Sequence, residues 1–281
     1  MRFVSFLHDG RPACGLMQGE HILLAPASAH ADLKAAIAAD ALADLGRACE
    51  AAGQRVAFAD VALLPVIPNP GKILCVGLNY EMHRRETGRD VVENPTIFTR
   101  FADSQAAHGQ DLLRPRVSTD FDYEGELAVV IGKGGRYIAP EAAMAHVAGY
   151  ACYNDGSVRD WQRHTIQFTP GKNFPQTGGF GPWLVTPDEI PDLDKLRLTT
   201  RVNGATVQEA TLDHMIFDVP RIIAYCSSFT PLSPGDVIAT GTPGGVGAKR
   251  KPPLWLKPGD MVEVEITGIG VLRNGIADEA A

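Results

Sequence analysis

Apolar and polar positions alternate along most of this chain, and stretches with helical spacing are few. Over residues 1–26, short apolar runs are broken by turn signals at Asp9-Gly10 and Gln18-Gly19-Glu20, which predicts a small antiparallel meander. Residues 30–52 are rich in alanine, with Leu33, Ile37, Leu42 and Leu45 on a helical period, and read as one helix or two. The proline-containing stretch LLPVIPNPGK at 63–72 then reads as a linker. It divides a small N-terminal subdomain, residues 1–65, from a main domain over 66–281.

From Ile73 onward strand signals dominate. KILCVGLNY opens the main domain, a strand follows over 123–131, and GYACYND at 149–155 is another. Ser157 and Asp160 fit a capping box for a helix from about 158 to 168. Asn203-Gly204 between two strand-like runs predicts a hairpin, and Pro220 suits the first turn of a helix through IIAYCSS. Pro-Gly-Asp turns at 234–236 and 258–260 each launch a strand rich in valine and isoleucine. Many short strands and few helices argue for a β-rich α+β domain with a small N-terminal α/β extension, not a doubly wound parallel sheet.

Composition narrows the partners. At 281 residues, 45% hydrophobic and 21% charged, the chain suits one large domain with or without a small extension. The net charge of -7 and the absence of a basic run argue against a nucleic-acid partner, while local arginines or a metal could still hold a small anion. The five cysteines form no CxxC pair, so neither a disulfide framework nor a zinc ribbon is supported. Cys75 and Cys152 lie in apolar runs and read as core. The start MRFVSFLHDG lacks the long apolar segment and cleavage site of a signal peptide, and no run approaches the roughly 20 apolar residues of a membrane span. A cytoplasmic location with no membrane partner is the expectation.

The chemistry gathers in four places. In FDYEGELAVVIG, Glu124 and Glu126 flank Gly125 and so share one strand face, opposite Tyr123, Leu127, Val129 and Ile131. Two adjacent carboxylates repel unless a cation lies between them, and with Asp155 they offer hard oxygen ligands suited to Mg²⁺, Mn²⁺ or Ca²⁺. A solvated sheet face explains the same pair equally well. In NYEMHRRETG, His83 and Glu86 stand three apart, where on a helix a carboxylate can hold an imidazole as a base. A chance surface pair is the alternative, and the polar run to Asn94 suits a lid. After Asp155, Arg159 and Gln162 share one helix face, while Trp161, Thr165 and Phe168 share another; Lys172 follows on TPGKNFP. These donors suit a developing oxyanion or enolate, or simply a solvated helix. ATGTPGGVG at 239–247 is Gly-rich but matches no nucleotide-binding pattern, leaving a tight turn with Thr242 near a ligand carboxylate.

Taken in order, NYxxHxxE, ExE in a strand, YNDxSxRDxQ, a lysine loop, GPW and PGDVIxTGTPxGVG make residues 70–280 resemble the fumarylacetoacetate hydrolase family. The resemblance implies a β-roll-like catalytic fold, a homodimer, and Mg²⁺ or a similar ion held by Glu124, Glu126 and Asp155. It implies a catalytic His83–Glu86 pair with Lys172 acting on the same reaction, and substrate contacts from Arg159, Gln162, Lys172 and Thr242. Many relatives carry Phe-Asp shortly after the lysine, where this chain reads Asn173-Phe174-Pro175-Gln176, so its pocket differs there. The expected activity is hydrolysis of a carbon–carbon bond in a 2,4-diketo acid, an acylpyruvate, giving pyruvate and a carboxylic acid. The alternatives are a lyase or isomerase of the same family (an oxaloacetate-type decarboxylase, a keto–enol isomerase or a ureidoglycolate lyase) and a non-catalytic metal-binding relative.

Overall fold

A computed structural model describes residues 1–280. Its spine is the strand Gly125–Ile131, every residue of which is buried. Antiparallel neighbours lie on both sides: Val147–Asn154, with Leu127 opposite Cys152, and Val237–Ala239, with Val129 opposite Ile238. Ile73–Gly77 runs parallel to Val237–Ala239, and Thr96–Arg100 follows at the edge. On the other side Gly178–Val185 joins Val147–Asn154. The meander Arg2–His8, Arg11–Gln18 and His21–Leu24 then extends the sheet, with Arg2 opposite Val185. Among the described residues this is a twelve-stranded sheet, and it runs unbroken from the N-terminal segment into the rest.

The proline stretch behaves differently from a free linker. Its prolines keep most of it out of the ladder, yet Val66 and Ile67 between them are buried in a core shared with Phe3, Ile73 and Val130. The N-terminal helical region is two helices, Leu33–Ala38 and Leu42–Ala52, with Asp40 between them at φ 53°.

Strand alternation decides where the spine sends its side chains. Leu127, Val129 and Ile131 pack against Leu198, Val264, Ile266 and Leu272 of a second, five-stranded sheet, and against Ile222 and Ile223 of the helix Val219–Phe229. Ala128 and Val130 pack on the opposite face with Leu33, Ile37, Leu45 and Cys49 of the N-terminal helices. A strand covered on both faces has no solvated side. Glu124 and Glu126 share the face of Ala128 and Val130, so both are drawn inside rather than into water.

Local signals explain the remaining elements. Asp218 caps Val219–Phe229 by accepting from the Arg221 N–H at 2.8 Å, with Pro220 in the first turn. Asn203 and Gly204, both at positive φ, join Arg197–Val202 to Ala205–Thr211. The helix after Asp155 is shorter than its sequence suggests: only Arg159–Gln162 forms, followed by a separate turn at Thr169–Lys172. The capping box is not made. Ser157 pairs with Asp122 in a two-stranded ladder, so the chain stays extended to Val158, and Asp160 accepts from Ser118 Oγ at 2.7 Å instead. No described helix is long and apolar enough to cross a membrane.

Candidate active site and metal centre

Glu124, Glu126 and Asp155 each offer an oxygen within 4.8 Å of the others, and all three are buried. Asp155 reaches the glutamates where the strand Val147–Asn154 ends, its own N–H donating to the Glu124 carbonyl at 2.8 Å. Three cations surround this trio. Lys172 Nζ bridges Glu124 Oε2 and Asp155 Oδ2 at 2.6 Å each, Arg159 Nη1 lies 2.7 Å from Glu124 Oε1, and Arg100 Nη1 lies 2.6 Å from Asp155 Oδ1. Burial works to raise the Glu124 pKa, but the Arg159 and Lys172 charges outweigh it and hold the carboxyl below its ordinary range.

Glu126 is the exception. Its Oε2 accepts from the Gly241 N–H at 2.8 Å, and no cationic side chain pairs with it among the described residues. Burial, then repulsion from Asp155 and Glu124, pushes its carboxyl well above the ordinary value. A hard oxygen trio in which one buried carboxylate lacks a counter-charge fits a divalent cation of the Mg²⁺ class. The donor set does not distinguish Mg²⁺, Mn²⁺ and Ca²⁺.

His83 sits on the helix Glu81–Thr87 and is buried. Its Nδ1 lies 2.7 Å from Glu86 Oε1, and Glu86 Oε2 accepts from the Gly245 N–H at 3.0 Å. The Gly-rich stretch therefore does bind anions, but they are the protein's own carboxylates. Gly241 serves Glu126, Gly245 serves Glu86, and the Gly247 and Ala248 N–H groups both donate to Asp122, at 2.7 and 2.9 Å. Gly245 is required by geometry: at φ +103° a Cβ would lie 2.3 Å from the Val207 carbonyl oxygen.

These groups open on one cavity of about 600 Å³. Of the sequence-predicted residues, His83, Glu124, Glu126, Arg159, Gln162, Lys172 and Thr242 line it, while Glu86 and Asp155 stand behind the wall and hold His83 and Lys172. Arg159 donates to Asp122 Oδ2 at 2.8 Å and to Gln162 Oε1 at 3.0 Å, and its buried Nη2 has no partner among the described residues. Thr242 is already engaged: its hydroxyl donates to the Gly125 carbonyl at 2.9 Å and accepts from Gln208 Nε2 at 2.8 Å. Trp161, Thr165 and Phe168 do not share a core face. Trp161 packs on Phe174, Thr165 is exposed on the cavity rim, and Phe168 packs edge-on against Phe98 in the wall.

Sequence reasoning missed Asp122 and Arg100. Asp122 stands beside the carboxylate pair but read only as the strand's lead-in. Arg100 had a usable signal, because it shares strand parity with the buried Phe98, and an arginine on an inward face needs buried partners.

A family profile described as "Fumarylacetoacetate (FAA) hydrolase C-terminal" matches residues 72–277. The mitochondrial oxaloacetate tautomerase FAHD2A of Homo sapiens is 44% identical over 219 residues, which is 77% of this chain and 70% of that protein. Among solved structures, the fumarylacetoacetate hydrolase of the psychrophile Exiguobacterium antarcticum superposes with a TM-score of 0.86 at 35% identity, covering 99% of this chain and 100% of that one. The maleylpyruvate hydrolase of Sphingobium sp. SYK-6 gives a TM-score of 0.82 at 28% identity, with coverage of 99% and 100%.

Proposed function

Because this chain belongs to the fumarylacetoacetate hydrolase family, an enzyme family, we propose that it moves a proton at C3 of a small 2-oxo acid, foremost in keto–enol tautomerisation of an oxaloacetate-type substrate. The observation that carries this reading is a base and a carboxylate floor on one cavity: His83, backed by Glu86, stands in the same wall as Glu124 and Glu126. Tautomerisation needs a base at C3 and stabilisation of the charge that appears on the C2 oxygen. It needs no water.

Glu86 accepts from Nδ1, which leaves His83 Nε2 as the basic nitrogen. Gly245 holds the second oxygen of Glu86, so the imidazole cannot easily turn away. Nε2 takes the C3 proton, the C–H electron pair becomes the C2=C3 double bond, and the C2 oxygen gains the charge and then takes a proton back from the imidazolium, directly or through water, which regenerates the base. Arg159, through its unpartnered Nη2, holds the substrate carboxylate, with Gln162 beside it. Lys172 lines the same cavity and stabilises the enolate oxygen. A divalent ion held by Glu124, Glu126 and Asp155 would supply Lewis-acid polarisation of the 2-oxo group.

Carbon–carbon hydrolysis of an acylpyruvate is the second reading, favoured by the likeness to a maleylpyruvate hydrolase. There His83 takes a proton from water, the hydroxide adds to the C4 carbonyl, and the C3–C4 bond breaks. The electron pair leaves on a pyruvate enolate, which the imidazolium then protonates at C3. Both readings use the same base.

The test follows enol and keto oxaloacetate by ultraviolet absorbance, and pyruvate release from a panel of acylpyruvates, each with Mg²⁺, Mn²⁺ or EDTA. Metal-dependent tautomerisation without pyruvate release establishes the first reading, and stoichiometric pyruvate plus a carboxylic acid establishes the second. His83→Ala should lose about 10²–10⁴-fold in kcat in either case. Full turnover by that variant would remove the base from the mechanism.

A further inference from the structure

Arg100 is not part of the cavity lining, yet one nitrogen of its guanidinium grips the turn that carries Asp155 while the rest of the group is anchored on Ser104 and Thr177. The guanidinium is fully buried. Nη1 donates to Asp155 Oδ1 at 2.6 Å and to the Gly156 carbonyl at 2.9 Å, so one nitrogen grips both the carboxylate and the backbone that follows it. Nη2 donates to Thr177 Oγ1 at 2.8 Å and, at 3.4 Å, to the Ser104 carbonyl, while Nε lies 3.3 Å from Ser104 Oγ. The space is fitted to this group. A Cβ on Gly178 would lie 2.7 Å from Nη2, so only glycine leaves room for the guanidinium plane.

Asp155 has two oxygens, and both are spoken for: Oδ1 by Arg100 from behind, Oδ2 by Lys172 on the cavity side. Lysine is a mobile point charge on a flexible stem, so it neutralises the carboxylate without fixing its plane. Arginine presents a rigid planar fork and does fix it. We propose that Arg100 is a positioning residue for the metal centre, locking the plane of Asp155 so that its inner oxygen faces Glu124 and Glu126. This rests on the metal-binding reading of those three carboxylates. Outer groups that orient a ligand typically control metal affinity by about 10–100-fold.

Charge and orientation pull in opposite directions here, and the choice of variant separates them. Deleting the arginine would also remove a positive charge and so favour a cation. Arg100→Lys keeps the charge and loses the fork. Thr177→Val keeps Arg100 itself and removes one anchor of its Nη2, at nearly constant volume.

The experiment measures Mn²⁺ affinity by calorimetry, with no substrate present, alongside thermal unfolding in EDTA. Arg100→Lys should bind Mn²⁺ about 10–100-fold more weakly than the parent protein, and Thr177→Val should shift in the same direction by less. Mn²⁺ affinity unchanged in both variants, with only the EDTA melting temperature lowered, would make Arg100 a structural ion pair and overturn the proposal. If Arg100→Lys does not fold, Thr177→Val decides alone: weaker Mn²⁺ binding supports the proposal and parental affinity overturns it. A parent protein that binds no Mn²⁺ would defeat the metal reading itself, and the proposal with it, whereas parental binding with unaffected variants defeats the proposal alone.

Discussion

On and behind the floor of the cavity, charged side chains are buried and, Glu126 apart, paired with opposite charge: Lys172 to Glu124 and Asp155, Arg159 to Glu124 and Asp122, Arg100 to Asp155. At the rim of the same cavity, Arg89, Asp90 and Arg163 are exposed on connections between elements, and Lys249 is exposed at the end of the helical turn Gly247–Lys249. The floor is built on strands clamped between two hydrophobic cores, and the rim on segments with water on one side. A buried charge that loses its partner is left uncompensated in a low-dielectric interior, while an exposed charge is simply rehydrated. On the proposed function, reaction chemistry belongs to the floor, and the rim is free to vary with the substrate's far end.

The sharpest way to break this comparison lies within the floor itself. Glu124→Ala takes one of two carboxylate partners from both Lys172 and Arg159, which keep Asp155 and Asp122, so it should cost up to about 3 kcal/mol of stability as well as metal binding. Glu126→Gln removes a carboxylate that has no cationic partner, and glutamine can still accept from Gly241. It should lose metal binding yet melt, in EDTA, at or above the parent temperature. Paired melting curves in EDTA decide this. Equal destabilisation by the two substitutions would mean that the ion-pair assignment is wrong and that both glutamates serve the fold alike.

A middle-sized effect is expected where rim and floor meet. Gly245→Ala must move the loop, because the position combines a positive φ with a near-contact to Val207. Strain of this kind costs about 1–3 kcal/mol and draws the N–H away from Glu86. The expected result is a fall in kcat with Mn²⁺ affinity unchanged, since the metal cluster takes its loop contact from Gly241 instead. A variant that weakened metal binding as much as turnover would show that the loop acts as one rigid unit.

Much of this was legible in the sequence because its signals are local. Period-two alternation around Gly125 placed both glutamates on one face, and the spacing of His83 and Glu86 predicted a contact that a single helical turn makes. The choice between a metal floor and a solvated face was not local. It depended on Lys172, Arg159 and the Gly241 loop closing over the two glutamates from distant parts of the chain, a long-range packing outcome that alternation alone does not encode. The capping box failed for a related reason: Ser157 had a strand partner, Asp122, thirty-five positions away, and the ladder won. Asp122 and Arg100 stayed hidden because their importance lies in what they hold, and those partners are distant in the chain.

The smallest predicted effect lies at the rim and tests whether the division holds from the other side. Arg163→Ala and Lys249→Ala remove exposed charges from the cavity mouth, where the proposed anionic substrate would pass but, among the described residues, no hydrogen bond or ion pair ties them to the floor. Their contribution is a screened, long-range attraction. Each should raise KM a few-fold with kcat, Mn²⁺ affinity and melting temperature unchanged, and the difference from the parent should shrink as salt is added. A fall in kcat that persists at high salt would mean that these side chains close over the substrate and contact it directly. The rim would then share in the chemistry, and the separation between a fixed floor and a variable mouth would have to be redrawn around the bound state.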